Sequence, residues 1–149
     1  MLSKKCQYAL HAMVYIAEQD PSTVATIQEI SAKKNIPRKF LEIILSELKQ
    51  GGMISSRKGK AGGYFLQKQA SQISILEIVR LIDGAVAMLP CVSLNFYESC
   101  GRCEDETTCN INKVFSMVRD RTLQVLSTNT IADLVKNPHT VANIPGATN

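Results

Sequence analysis

The sequence predicts a mainly α-helical fold with a small β-hairpin wing: a winged helix-turn-helix domain followed by a long C-terminal dimerisation helix. Apolar residues recur every three or four positions along most of the chain, and a basic, glycine-rich segment interrupts this pattern once. The 149 residues are 45% hydrophobic and 20% charged, enough to bury a core. Apolar runs fall short of the ~20 residues that span a bilayer, and no signal sequence precedes the first helix, so a cytoplasmic protein without a membrane partner is expected.

Two short helices joined by a brief turn are predicted after a first helix over residues 2–18. The first of the two opens at a capping box of Thr26 and Glu29. The second begins with Pro37, whose missing N–H costs nothing at the first helical position. Its predicted core positions are Phe40, Leu41, Ile44, Leu45 and Leu48. Together the two helices form a candidate helix-turn-helix motif.

A β-hairpin is predicted directly after these helices. Residues 53–57 and 64–66 have strand character, and residues 58–63 between them are basic and rich in glycine. Such a hairpin is a wing, in which Lys58 and Lys60 supply charge and glycine lets backbone N–H groups approach a phosphate. This order of elements predicts nucleic-acid binding, the alternative being a solvated hairpin tip.

The second half of the chain is predicted to hold a helix, a loop and a long helix. Ser74 and Glu77 form a second capping box, which opens a helix that ends at Gly84. A further apolar pattern starts at Asn110, a predicted N-cap, and lasts about 17 residues, roughly 25 Å. This long helix is expected to pack on a second copy of the chain, with packing on its own domain as the alternative.

The predicted organisation has four parts. They are a DNA-binding domain (1–84), a cysteine-rich sensor loop (85–110), a dimerisation helix with a last short helix (111–136) and a flexible tail (137–149). Charge divides in a similar way, since residues 1–68 hold 11 Lys and Arg against 5 Asp and Glu. The rest of the chain carries a balance of −2 within a total of +4. The basic first half is therefore expected to face a polyanion.

Four of the five cysteines lie within 19 residues, and they are Cys91, Cys100, Cys103 and Cys109. In a reducing compartment such a group indicates a metal or redox site. Four soft thiolates suit an iron–sulfur cluster or zinc. The uneven spacing favours the iron–sulfur cluster, while thiol–disulfide switching, zinc and thiols without a special role stay open. The fifth, Cys6, is expected to be a packing residue.

Enzymatic function is not predicted. The sequence contains no Ser/His/Asp set, no phosphate-binding loop and no pair of catalytic carboxylates. A thiol oxidoreductase built around Cys100 and Cys103 is the only enzymatic alternative, and it lacks the sequence context that lowers a thiol pKa.

The chain resembles the Rrf2 family of bacterial winged helix-turn-helix regulators from residue 1 to about residue 136. The resemblance rests on segments at the start of the first helix, in the third helix and in the wing, namely Leu2-Ser3-Lys4, Tyr8-Ala9-Leu10, Phe40-Leu41-Glu42, Ile54-Ser55-Ser56, Gly59 and Gly62-Gly63-Tyr64. It implies a homodimeric transcription regulator that binds a double-stranded DNA operator and senses redox state, nitric oxide or iron–sulfur status through a 2Fe–2S or 4Fe–4S cluster.

Family membership also implies roles for particular residues. DNA contacts are expected from Pro37, Arg38, Lys39 and Glu42 in the recognition helix and from Lys58, Lys60 and Gly62 in the wing, and cluster ligands from Cys91, Cys100, Cys103 and Cys109. Cluster-binding relatives usually have three cysteines and a different fourth ligand, so four cysteines here depart from the pattern. Some relatives bind no cluster, so thiol oxidation, structural zinc or a protein partner is the alternative.

Overall fold

The computed structural model describes residues 2–103 and 105–136, and the predicted flexible tail at 137–149 lies outside them. The described elements are α1 (Lys4–Ala17), α2 (Ile27–Lys34), α3 (Arg38–Gln50), β1 (Ile54–Arg57), β2 (Gly63–Leu66), α4 (Ile75–Ile82), α5 (Asn110–Thr128) and α6 (Ile131–Lys136). The prediction of a mainly helical fold with one hairpin is confirmed. Of the helices in these ranges, none is long and apolar enough to cross a membrane.

Both predicted capping boxes are present. The Thr26 hydroxyl accepts from the backbone N–H of Glu29, whose carboxylate accepts from the backbone N–H of Thr26 at 2.7 Å. Ser74 and Glu77 make the same reciprocal pair at the start of α4. Asn35 ends α2 in the left-handed region with φ of 51°, which turns the chain sharply toward α3.

The position predicted for Pro37 is wrong by one residue. Pro37 is the N-cap of α3, with an extended ψ of 131°, and the helix begins at Arg38. The physical reason is that ψ of the residue before the first helical turn is still free to be extended, even where proline fixes φ. The consequence for the fold is small, since the α2–α3 turn keeps its predicted place.

The core lies where α1, α2, α3, α4 and α6 meet. Four of the five predicted core positions of α3 are fully buried, and they are Leu41, Ile44, Leu45 and Leu48. The prediction for Phe40 is wrong, because its side chain is 53% exposed; its ring meets Tyr8 edge-on, at 6.5 Å between centroids. Phe40 lies at the border of the apolar stripe, where helical spacing does not decide which side faces inward.

The wing is anchored to the helical domain by a third backbone segment. Strands β1 and β2 pair antiparallel, with Ile54 opposite Leu66 and Arg57 opposite Gly63. Tyr64 also exchanges two backbone hydrogen bonds with Ala25, both at 2.8 Å. The hairpin is therefore attached to the segment that leads into α2.

The last helix returns to the core of the first half. Ile131, at the start of α6, is fully buried, and its backbone N–H donates to the Ile73 carbonyl at 2.9 Å. The N–H of Ile75 donates to the Asn129 carbonyl at 3.0 Å, and α6 packs on α1. Residues 129–136 therefore contribute to the same core as the helix-turn-helix.

Helix α5 runs along the outside of this core. It has 19 residues, none of them buried, and one side packs on α4 and on a 3₁₀ turn at Pro90–Val92. The prediction of Asn110 as N-cap is wrong, because the cap is Cys109, whose sulfur accepts from the N–H of Asn112 at 3.5 Å. Ile111, Val114 and Met117 leave α5 with an exposed apolar edge.

Candidate nucleic-acid interface and cysteine loop

The start of α3 projects from the domain. Leu41, Ile44, Leu45 and Leu48 occupy the side that faces α1 and α4, which turns the opposite side of the helix to solvent. The predicted contact residues Pro37, Arg38, Lys39 and Glu42 are all exposed. The structure thus brings these four residues together on one accessible surface.

The wing presents the second group of predicted residues. Lys58 and Lys60 are exposed at its tip, and Gly62 is half-buried. A Cβ atom on Gly62 would lie 2.3 Å from the Arg57 carbonyl oxygen and 2.8 Å from that of Gly59, closer than such atoms approach. The fold itself therefore requires glycine at this position, whatever the wing contacts.

The basic residues of this surface have no acidic partner in the described part of the chain. Ion pairs there join Lys5 to Glu47, Lys34 to Glu18, Lys68 to Glu77 and Arg119 to Asp120. Arg38, Lys39, Lys58 and Lys60 take part in none of them. Their charges are thus free of internal neutralisation and suit an anionic ligand.

Two contacts that fix this surface could not be predicted from the sequence. The Lys49 ammonium donates to the Ser56 hydroxyl at 2.7 Å and so links the end of α3 to β1. The Lys5 ammonium donates to the Glu47 carboxylate at 2.6 Å and links α1 to α3. No local pattern signals either contact, because each joins residues from different elements.

The cysteine loop is tied to α5 at two points. Cys91 lies in the 3₁₀ turn, and its carbonyl accepts from the Asn112 side chain at 3.4 Å. The next residue of this 3₁₀ turn is Val92, whose carbonyl accepts from the Arg119 guanidinium at 2.6 Å. The backbone N–H of Asn112 also donates to the Cys109 sulfur. Asn112 therefore connects Cys91, near the start of the cysteine loop, with Cys109 at its end.

Three of the four loop thiols interact. The Cys100 and Cys103 sulfurs lie 3.8 Å apart. Hydrogen bonding to Cys109 and then to Cys100 raises the pKa of Cys103 to about 12. The backbone N–H of Arg102 lowers the pKa of Cys100, and the N–H of Asn112 lowers the pKa of Cys109. Two of the thiols are thereby favoured as thiolates, the form that binds metals.

The arrangement of the four sulfurs is not that of a finished metal site. Within residues 2–103 and 105–136, no three His, Cys, Asp or Glu side chains are grouped so that they could hold a metal ion. Cys91 is half-buried, and Cys100 is exposed. The four thiols are soft donors of the kind that hold an iron–sulfur cluster, and two of them, Cys100 and Cys103, lie in contact.

The fifth cysteine lies elsewhere, at the junction of α1 and α4. Cys6 is fully buried, and burial, together with the nearby Asp83 carboxylate, raises the pKa of its thiol to about 11. Asp83 accepts from both the backbone N–H and the hydroxyl of Ser3, the N-cap of α1. Cys6 is thus a packing residue, as the sequence predicted, beside a link between α1 and the start of the cysteine loop.

Comparison with known proteins identifies relatives over nearly the whole chain. The sequence model of a family described as Rrf2, iron-dependent transcriptional regulator, matches residues 2–137. An rrf2-like HTH-type transcriptional regulator of Rhodobacter capsulatus is 39% identical over 138 residues, covering 91% of this chain and 92% of the relative. The HTH-type transcriptional regulator IscR of Cronobacter sakazakii is 29% identical over 136 residues, covering 91% and 80%.

A solved structure gives the same result for the fold. CymR, the global cysteine regulator of B. subtilis, superposes with a TM-score of 0.76 at 24% identity, over 91% of this chain and 95% of that chain. At this identity the likeness concerns the fold alone. The predicted winged helix-turn-helix with a long C-terminal helix is confirmed.

Proposed function

The chain belongs to the Rrf2 family of DNA-binding transcriptional regulators and is not an enzyme, and we propose that α3 and the wing are its DNA-binding surface. The observation that carries this proposal is the group of exposed cations without acidic partners at both places. Arg38 and Lys39 suit phosphate or guanine, and the Glu42 carboxylate suits a cytosine amino group. Lys58 and Lys60 suit the phosphates beside the minor groove. A DNA operator as ligand supports the proposal that the protein acts in the cytoplasm.

Salt dependence tests the assignment of the wing. Each phosphate contact releases counterions, so the log–log slope of affinity against salt is about −0.9 per contact. The double variant Lys58→Ala/Lys60→Ala should bind operator DNA more weakly and with a shallower slope, whereas Lys113→Ala on α5 should match the unaltered protein. An unchanged slope in the double variant would remove Lys58 and Lys60 from the interface.

We further propose that the working unit is a homodimer formed through α5. Its exposed edge of Ile111, Val114 and Met117 supports this, because such a stripe on an amphipathic helix gains stability when it packs on another helix. A two-fold dimer would carry two copies of α3, suited to half-sites about 34–36 Å apart.

For the signal, we propose an iron–sulfur cluster held by Cys91, Cys100, Cys103 and Cys109. The iron-dependent description of the family and the contact between the Cys100 and Cys103 sulfurs support it. A bound cluster would supply a redox-sensitive cross-link within the loop. Because Asn112 and Arg119 attach the loop to α5, loosening of residues 91–109 would tilt α5 and alter the spacing of the two recognition helices.

The second candidate is a regulator without a cluster. The 3.8 Å contact of Cys100 and Cys103 favours thiol–disulfide switching, in which both thiols lose their protons and an oxidant takes two electrons as the S–S bond forms. Structural zinc or a protein partner would also serve a cluster-free regulator.

Iron, sulfide and zinc analysis of protein purified without air separates these candidates. The cluster predicts iron and sulfide in comparable amounts, with loss of both in Cys103→Ser and retention of both in Cys6→Ala. Zinc alone would favour a structural metal. Absence of all three, with a Cys100–Cys103 disulfide found by mass spectrometry after oxidation, would favour the switch and overturn the cluster.

A further inference from the structure

Ile43 lies at the centre of the exposed face of α3. At about 100° per residue, the positions opposite the buried side of the helix are those of Lys39, Ile43, Ser46 and Gln50. The other three residues are polar, and all four are exposed. The Ile43 side chain is 54% exposed, although it belongs to the residue types most often buried.

The neighbouring Phe40 differs from Ile43 in its surroundings. Its exposure is similar, but its position lies toward α1, where the ring meets Tyr8 edge-on. Ile43 lies one turn after Lys39, a cation without an acidic partner among the described residues, on the face of α3 that points away from the core. Because Lys39 and Ile43 are four positions apart and so neighbours on the helix surface, a ligand that binds Lys39 also lies over Ile43.

The chemistry of the major groove limits what an isoleucine there can recognise. Base edges present hydrogen-bond donors and acceptors, and the apolar group among them is the C5 methyl of thymine. Against any other base, Ile43 would remove water from a polar edge and offer no hydrogen bond in return. Isoleucine at this position thus favours one base by attraction and disfavours the others by desolvation.

We propose that Ile43 contacts the C5 methyl of a thymine and specifies that base at one position in each half-site. This inference rests on the proposed DNA-binding surface of α3, and it adds a specificity-determining residue that neither charge nor hydrogen bonding would reveal. Lys39 and Arg38 hold the helix by charge, whereas Ile43 contributes selectivity.

The test removes a single methyl group from the DNA. Duplexes selected by the full-length protein from a random pool give the operator, and each thymine is then replaced in turn by deoxyuridine, which lacks only the C5 methyl. The unaltered protein should lose about threefold to tenfold in affinity at one thymine per half-site. Ile43→Ala should bind thymine and deoxyuridine duplexes equally at that position, and Ile43→Val should keep most of the preference.

Phe40→Ala is the matched control, since it removes an equally exposed apolar side chain one turn before Ile43, on the flank of α3 that turns toward Tyr8 of α1. It should retain the full preference for thymine at the Ile43 position. Equal binding of both duplexes by the unaltered protein at every position, or an unchanged preference in Ile43→Ala, would overturn the inference while DNA binding itself stands. If no duplex is enriched from the pool, the proposed DNA-binding surface fails together with it.

Discussion

Gly63 is the residue at which the wing meets the helical domain. A Cβ atom on Gly63 would lie 2.7 Å from the Ala25 carbonyl oxygen, which accepts from the N–H of Tyr64. The contact is with backbone, so a larger residue cannot be accommodated by the rotation of a neighbouring side chain. The absence of a side chain at this one position lets a third segment join the hairpin.

Gly63→Ala should therefore destabilise the protein by about 1–3 kcal/mol, because the Ala25–Tyr64 pairing must open or shift. Urea unfolding followed by circular dichroism measures the change. Ala61→Ser, two residues earlier in the exposed loop, should have no measurable effect. Equal stability of Gly63→Ala and the unaltered protein would show that the hairpin can pair with Ala25 even when residue 63 carries a side chain.

The capping box of α2 gives a dependence on pH. Hydrogen bonds donated by the backbone N–H and the hydroxyl of Thr26 lower the pKa of Glu29. A carboxyl whose pKa is lower in the folded state stabilises the protein above its unfolded pKa of about 4.3, and this contribution is lost as pH falls through the folded value.

Glu29→Gln should thus be less stable than the unaltered protein at pH 7, and the difference should narrow as the pH falls below about 4.3. Thermal unfolding across pH 3–7 measures it. When Thr26 is already replaced by Ala, Glu29→Gln should lower the stability by less, because the Thr26 hydroxyl no longer donates to the carboxylate. A difference that is constant with pH would contradict this account.

At the scale of elements, α5 and the cysteine loop form one unit. The Arg119 side chain is only 15% exposed, and its guanidinium donates to the Val92 carbonyl across 27 residues of sequence. This bond joins the middle of α5 to the turn that carries Cys91. We expect this bond to couple the position of the loop to that of the helix.

Arg119→Ala should speed amide exchange in residues 91–103 by severalfold and leave exchange in α1 and α3 unchanged, because the lost contact is local to the loop. Hydrogen–deuterium exchange with mass spectrometry resolves these segments. Arg121→Ala is the control on the same helix, since the Arg121 guanidinium donates to the Gln124 side chain within α5 itself. A uniform increase over the whole chain would indicate general destabilisation instead.

At the scale of the whole molecule, the exposed edge of α5 is expected to decide the oligomeric state. Val114 and Met117 lie one turn apart, and both are more than half exposed. A carboxylate introduced there would have to be desolvated in a packed interface, at a cost of several kcal/mol.

Val114→Asp should convert a dimer of about twice 16.4 kDa into a monomer with an unchanged circular dichroism spectrum. Light scattering coupled to size exclusion gives the mass. Ser127→Asp, exposed three turns further along α5, should remain dimeric. A Val114→Asp dimer would place the interface elsewhere on the surface.

Much of the fold could be predicted from the sequence, because its signals are local. Each capping box involves two residues three positions apart, and the periodicity of α3 and the glycine-rich loop are read over a few turns. The wrong predictions arise for the same reason, because a local pattern leaves out the contacts between elements. Phe40 lies at the edge of an apolar stripe, and the choice between Cys109 and Asn110 as N-cap depends on the path of the preceding loop.

What the sequence by itself determined is the order of helices, hairpin and cysteine loop, and with it the predicted kind of protein. Only the tertiary structure decided which residues meet across that order: Asp83 with Ser3, Arg119 with Val92, Tyr64 with Ala25. It also decided that Phe40, which helical spacing assigns to the core, is more than half exposed. Local patterns fix hydrogen bonds within a turn or two, but contacts between distant residues follow from how the helices pack.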